Sequence, residues 1–307
     1  MRTFHGVTLS WTTEDAVLEV RLHRGPCNEI GTTTLRELEQ LADWIEAGAG
    51  DARALILHST MERGFSAGAD LRELYEGMSA LQTAGLGRLA RSVLGDRGGP
   101  KALADAARTL TAIARRGSRR LVVPIVQQRV RAFLERIHRV FHTLDVAGLA
   151  TFAAVHGVCF GGGFELALTA DQIIADRTAR FAFPELRLGI IPGFGGVPRL
   201  ERDVGNAVVR DLLLTGRSLS ARRAHELGLV AQLVAPGEAL AAARAAAAQA
   251  ARYEPSVVRS AKRFLKPVPA ERLAAEIELF VQMIREPHVE AALHRFVHSD
   301  DVRPYLP

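Results

Sequence analysis

The sequence is short of cysteine, aromatics and lysine. Two cysteines, Cys27 and Cys159, in 307 residues exclude a disulfide-built scaffold. Aromatic residues make up only 6%, and neither an RNA-reading aromatic motif nor a zinc-finger spacing occurs. No apolar run approaches the ~20 residues of a membrane-spanning helix. Met1-Arg2-Thr3-Phe4-His5-Gly6 lacks the apolar stretch and cleavage site of a signal peptide. Long heptad arrays and repeats of fixed period are also missing. Lysine is confined to Lys101, Lys262 and Lys266, so arginine carries nearly all of the basic charge. These absences predict a globular protein with no membrane or nucleic-acid partner, located in the cytoplasm.

A hydrophobic content of 48% excludes disorder and supplies a sizeable core with room for a cleft. The net charge of +5 is compatible with a phosphorylated small-molecule ligand. Val7–Trp11 and Ala16–Leu22 alternate as strands, and Gly25-Pro26 ends the second. Leu35, Leu38, Leu41, Ala42 and Ile45 recur at helical spacing behind Thr32-Thr33-Thr34, which predicts a helix with a threonine cap. Ala54–Leu57 and Phe152–Val155 are short, wholly apolar runs of the kind buried on both faces of a sheet. Val126, Val130, Phe133, Leu134, Ile137, Phe141 and Leu144 mark an amphipathic helix. From Asn206 onward the pattern is mostly helical, with Ala239–Ala251 favouring helix by composition.

Three segments carry chemistry. Phe65-Ser66-Ala67-Gly68-Ala69-Asp70-Leu71 follows a buried strand with small residues that let backbone amides approach a ligand. Gly161-Gly162-Gly163-Phe164-Glu165 leads from a strand into a helix, where free amides favour negative charge. Pro184-Glu185 precedes the glycine-rich stretch Gly189 to Gly196. The letters of Gly64-Phe65-Ser66-Ala67-Gly68 also fit a hydrolase nucleophile turn, but no partner triad accompanies them.

Together these segments, with Gly25-Pro26-Cys27-Asn28 and His156-Gly157, resemble the crotonase superfamily, the enoyl-CoA hydratase/isomerase family. The resemblance covers residues 7–78 and about 123–300. It implies an α/β, crotonase-like (ClpP/crotonase) fold of repeated ββα units with a helical C-terminal region. Residues 1–205 would form the core, with an extra helical insertion at about 79–122, and residues 206–307 would form a helical oligomerisation region.

By the same resemblance, the amides of Ala69 and Gly162 would form an oxyanion hole for a thioester carbonyl, and Glu165 and Glu185 would be the catalytic carboxylates. Ala67, Asp70, Leu71, Gly161, Cys27 and Lys262 would contact the substrate or its coenzyme A portion, with Lys266 and Arg24 as further candidate cations. The implied reaction is reversible, syn-type addition of water to a 2-enoyl-CoA. Double-bond isomerisation, thioester hydrolysis and non-catalytic acyl-CoA or RNA binding are the alternatives. No metal or redox cofactor is expected, coenzyme A being part of the substrate. The implied assembly is a homotrimer or homohexamer. Ala69 and Gly162 stand about twice as far apart in sequence as is usual in the family, and the extra residues fall in the insertion.

Overall fold

A computed structural model describes residues 3–80 and 119–299. The expected insertion at 79–122 therefore lies almost wholly outside the described residues.

Two sheets form the frame. The larger has seven strands, in the order β1 (Thr3–His5), β2 (Leu9–Glu14), β3 (Val17–Leu22), β4 (Ala54–Ser59), β6 (Ala150–Val155), β8 (Gln172–Asp176) and β11 (Val230–Val234). It is antiparallel from β1 to β3 and parallel from β3 to β11. The smaller sheet runs β10 (Leu219–Ser220), β9 (Arg180–Ala182), β7 (Val158–Phe160), β5 (Gly64–Ser66). Leu55, Leu57, Ala153 and Val155 join the main core, whereas Ile56, Phe152 and Ala154 face a second cluster built on Ala239, Ala243 and Ala247. Burial on both faces is why β4 and β6 read as unbroken apolar runs.

The chain visits the sheets in a repeating order. β4 is followed by β5 and a helical segment over 71–80, and β6 by β7 and α3 (Gly162–Ala167). β8 is followed by β9 and a 3-10 turn, Glu185–Leu188. Each passage through the small sheet thus delivers a loop and a helix start to the same side of the molecule. That is where all three glycine-bearing segments of the sequence end up.

The two long N-terminal helices, α1 (Thr32–Glu46) and α2 (Arg119–Val146), pack together over the main sheet. The threonine cap expected for α1 is not formed: Gly31 is the cap residue, and Glu73 accepts the Thr32 N–H (2.9 Å) and hydroxyl instead. The C-terminal part contains α4 (Gly196–Val204), α5 (Asn206–Thr215), α6 (Ala221–Glu226), α7 (Ala239–Ala250), α8 (Pro255–Leu265), α9 (Ala270–Met283) and α10 (Pro287–His298). It is not wholly helical, and the core does not stop at residue 205. β11 pairs in parallel with β8, and α7 covers the second face of the main sheet. Among the described residues, no helix is long and apolar enough to cross a membrane.

Candidate active site

The loop after β5 is held by an almost complete set of backbone bonds. Ala67 N–H donates to the Cys27 carbonyl (2.8 Å), Ile30 N–H to Gly68 (2.7 Å) and Asp70 N–H to Ile30 (3.1 Å). Ser66 is fully buried; its Oγ donates to the Asn28 carbonyl (2.7 Å) and accepts the Gly68 N–H (3.1 Å). It is a brace for the loop, and the nucleophile-turn alternative has no support in this environment.

Between these bonded amides, the Ala69 N–H is left over. At the start of α3, Gly161 N–H donates to Ala182 (2.9 Å), while the Gly162 N–H belongs to the first turn, which has no carbonyl to bond. Among the described residues, neither Ala69 N–H nor Gly162 N–H has a hydrogen-bond partner. The two are neighbours. A Cβ on Gly162 would lie 3.3 Å from the Ala69 nitrogen, and one on Gly68 (φ +94°) would lie 2.8 Å from the Gly162 nitrogen. Glycine at 68 is required both by the left-handed backbone and by this approach.

A cavity of about 530 Å³ opens beside these amides. Ala67, Ala69, Asp70, Leu71, Gly161, Gly162, Glu165 and Glu185 all line it, so the sequence candidates from three loops converge on one space. Apolar side chains line much of it, among them Met78, Val126, Val130, Phe133, Leu134 and Phe280. Val126, Val130, Phe133 and Leu134, whose spacing marks the apolar stripe of α2, line the cavity.

Glu165 projects from α3 and is 1% exposed. Its Oε1 accepts the N–H of Phe194 (2.8 Å) and of Gly196 (2.7 Å). Burial pushes its carboxyl up to about 7, against the pull of these amides and of Arg199. Glu185 opens the 3-10 turn. Its Oε2 is sealed from solvent with no hydrogen-bond partner, while Oε1 is 2.6 Å from where a Cβ on Gly161 would be. Burial first, and the charge of Glu165 second, hold the Glu185 carboxyl well above the usual carboxylate range. Two acids on one cavity, one braced by backbone amides and the other with an unpartnered oxygen, are placed to take and give protons at one bound group.

The loop 193–197 is clamped from behind. His138 of α2 lies 2.8 Å from the Gly193 carbonyl through Nε2. Burial depresses its pKa to about 4, so the ring is neutral at pH 7 and donates from Nε2–H. Arg199, with no exposed surface, donates from one terminal nitrogen to the carbonyls of Phe194 (3.2 Å) and Gly195 (3.0 Å), and from Nε to Asp145 (2.9 Å). Glu276 of α9 accepts the Gly195 N–H (2.6 Å).

The sequence reading missed Arg199, Asp145 and Glu276. For Glu276 a signal existed. Leu273, Glu276, Phe280 and Val281 are the buried residues of α9, so an acid occupies the middle of an apolar helical stripe.

Other candidates stand elsewhere. Lys262 is not at the cavity; its Nζ pairs with Asp171 (2.8 Å) and donates to the Leu149 carbonyl (2.7 Å). Lys266 binds Asp145 (2.9 Å) and Asp171 (3.1 Å). Both ammonium groups are therefore spent inside the chain. Arg24 pairs with Asp70 (2.5 Å) at the rim. Cys27 is buried behind the Ala67 loop, and burial pushes its thiol up to about 11. No group of three or more metal-binding side chains occurs among the described residues.

Known proteins carry the same arrangement of loops and strands. The sequence model of the enoyl-CoA hydratase/isomerase family matches residues 127–302. A "probable enoyl-CoA hydratase" of Bacillus subtilis is 31% identical over 241 residues, covering 76% of this chain and 74% of that protein. One of Rhizobium meliloti is 42% identical over 149 residues, covering 47% of this chain and 58% of that protein. The chain spans about half the length of several curated relatives it matches. Among solved structures, Pseudomonas aeruginosa DspI superposes with a TM-score of 0.64 at 27% identity, covering 91% of this chain and 96% of that one. An enoyl-CoA hydratase/isomerase from Xanthobacter autotrophicus Py2 gives a TM-score of 0.72 at 24% identity, covering 98% and 96%. The match to the family model over residues 127–302 and the Bacillus subtilis relative, matched over about three quarters of each chain, place this chain in the enoyl-CoA hydratase/isomerase family.

Proposed function

We propose that this protein is an enoyl-CoA hydratase, adding water reversibly to the 2,3 double bond of an acyl-CoA thioester. The observation that carries this reading is the meeting of two unpaired amides and two buried carboxyls on one cavity.

The thioester oxygen accepts hydrogen bonds from Ala69 and Gly162. Ionised Glu165 takes a proton from water as the water oxygen bonds to C3. The double-bond electrons move toward the thioester, and the oxygen gains enolate charge that the two amides stabilise; a single such donor is worth about 3 kcal/mol of barrier. Protonated Glu185 then gives its proton to C2, and the proton on Glu165 passes back to reset the pair. Water is added across the bond from the side the two acids occupy. Isomerisation needs a single acid, so the second buried carboxyl favours hydration. Gly193, where a thioester hydrolase often has an acid, disfavours hydrolysis.

The apolar lining fits a hydrocarbon acyl chain, with the coenzyme A portion leaving past Asp70 and Leu71. A homotrimer or homohexamer is supported by α8, which has no buried residue and exposes Val257, Phe264 and Leu265 on one side. A cytoplasmic location fits two buried free thiols.

The test is hydration of crotonyl-CoA and longer 2-enoyl thioesters, followed by loss of the conjugated-thioester absorbance and gain of one water in product mass. Glu165→Gln and Glu185→Gln are each expected to lower kcat by about 10²- to 10⁴-fold while acyl-CoA binding persists. Near-normal turnover in either variant overturns the two-carboxyl mechanism, and a product of unchanged mass replaces hydration with isomerisation.

A further inference from the structure

We propose that His138 is a positioning residue for Glu165: through the Gly193–Phe194 peptide it aims an amide that holds the Glu165 carboxyl, without itself touching substrate. The inference rests on the hydratase reading for its kinetic test alone.

The link is a single peptide group. Its carbonyl, on Gly193, accepts the His138 Nε2–H at 2.8 Å, and its N–H, on Phe194, donates to Glu165 Oε1 at 2.8 Å. A carbonyl can only accept, so the ring carries a proton on Nε2. A hydrogen bond at one end of a peptide polarises it and strengthens the bond at the other by about 10–30%. The larger effect is on orientation. A peptide unit is planar, so fixing the direction of its C=O fixes that of its N–H. Phe194 and Gly196 both donate to Glu165 Oε1, and among the described residues no hydrogen bond reaches Oε2. These two amides therefore decide which oxygen of the acid is left free at the cavity that Glu165 lines.

The loop needs such a hold because its own chain supplies little. Of the four residues 193–196, three are glycine. Crowding imposes two of them: a Cβ on Gly193 would lie 2.6 Å from the Phe280 ring, and one on Gly196 would lie 2.4 Å from Glu165 Cγ. The resulting backbone has the widest choice of φ and ψ, and side chains from outside must remove that choice. Arg199 holds the carbonyls of Phe194 (3.2 Å) and Gly195 (3.0 Å), and Glu276 accepts the Gly195 N–H (2.6 Å). His138 holds the carbonyl of Gly193, where the chain enters the loop. The Phe194 ring packs on Phe133 and Phe141, with centroids 5.9 Å away in each case, but this fixes the side chain and not the peptide before it. His138 lies on α2 one turn beyond Leu134, which lines the cavity; His138 does not, so it acts on the acid only through the backbone.

His138→Gln keeps an N–H at the reach of Nε2, whereas His138→Leu keeps bulk and loses the donor. His138→Leu is expected to lower kcat for enoyl-CoA hydration by about 10- to 100-fold, and His138→Gln to stay within about threefold of wild type. In protein labelled with nitrogen-15 phenylalanine, the Phe194 amide proton is expected to move upfield in His138→Leu and to return in His138→Gln. Wild-type kcat in His138→Leu, equal losses in the two variants, or an unmoved Phe194 amide overturns the proposal. One measurement needs no folded variant. The nitrogen-15 spectrum of the wild-type histidine side chains is expected to show the His138 ring with its proton on Nε2, and a proton on Nδ1 alone overturns the proposal. If wild type hydrates no enoyl-CoA, the hydratase reading fails, while the amide shift and the ring proton still decide the His138 link.

Discussion

Gly161→Ala tests whether the position of Glu185 governs the reaction. Gly161 sits at φ +50° and ψ −129°, a backbone region open essentially to glycine, so any side chain there costs about 1–3 kcal/mol of stability. The added methyl group would also lie 2.6 Å from Glu185 Oε1 but 3.5 Å from Cδ and 4.0 Å from the Pro184 ring. Only the carboxyl oxygen is in the way, and it must retreat by about 0.8 Å to reach ordinary contact at 3.4 Å. A displacement of about 1 Å at a reacting group can cost about 10²-fold in rate. Gly161→Ala is therefore expected to lower kcat for enoyl-CoA hydration by about 30- to 100-fold. Gly205→Ala is the control. It has φ +86° and nothing within 4 Å of its added Cβ, so it carries backbone strain alone. It is expected to lose stability and keep kcat. The assay is saturation kinetics on 2-enoyl thioesters beside thermal unfolding of both variants. A Gly161→Ala enzyme with wild-type kcat, or equal losses of kcat in the two variants, refutes the reasoning.

Two further outcomes follow from groups outside the cavity. His58 of β4 is 4% exposed with both ring nitrogens unpartnered, and burial holds its pKa at about 4, the Glu19 carboxylate at 3.8 Å only partly opposing. The unfolded chain takes that proton near pH 6.5 and the folded chain does not. The stability it contributes is complete above pH 6.5 and is lost as pH falls toward 4, by about 2 kcal/mol at pH 5. Urea unfolding at pH 7 and pH 5 is expected to show a smaller difference in His58→Leu than in wild type, and an equal difference would exclude this linkage. On α8, Phe264 is 86% and Leu265 75% exposed. The double change to Asp is expected to lower the sedimentation coefficient to that of a monomer without loss of helical content, and an unchanged assembly would place the subunit contact elsewhere.

The parts of the fold legible in the sequence are those fixed by strong, local patterns. The α1 and α2 stripes and the β4 and β6 runs are buried as their periodicity requires. The glycine loops were legible because a backbone amide presented to a ligand excludes side chains, and Gly68 and Gly162 keep that space open. β11 was not legible. Val230-Ala-Gln-Leu-Val is short and lies at a sheet edge, where pairing on one side with β8 decides its state against its local preference. Nor could the sequence show that Lys262 and Lys266 are consumed by Asp145 and Asp171, because those carboxylates approach from distant β- and α-segments. A lysine's availability to a phosphate is settled by its neighbours, not by its position in a helix. Likewise Glu73, which satisfies the start of α1 in place of a threonine, reaches it from the next ββα unit.

The interior of this site explains why its chemistry needs so few parts. An ionised carboxylate is costly to bury, and a protonated one much less so. Glu165, Glu185 and Glu276 are all held above the usual carboxylate range, with burial the first cause in each. The N–H groups of Phe194 and Gly196 partly offset that burial at Glu165, whose carboxyl is pushed up to about 7. Glu185 has a buried oxygen with no partner, and burial holds its carboxyl well above the usual range. The interior therefore sets a carboxyl braced by backbone amides beside one with an unpartnered oxygen. Adding water across a double bond requires two such groups, one to take a proton and one to give it. Any substitution that adds a hydrogen-bond donor to Glu185 would tighten the interior and remove the acid, so gain of stability and loss of activity are expected to travel together at that position.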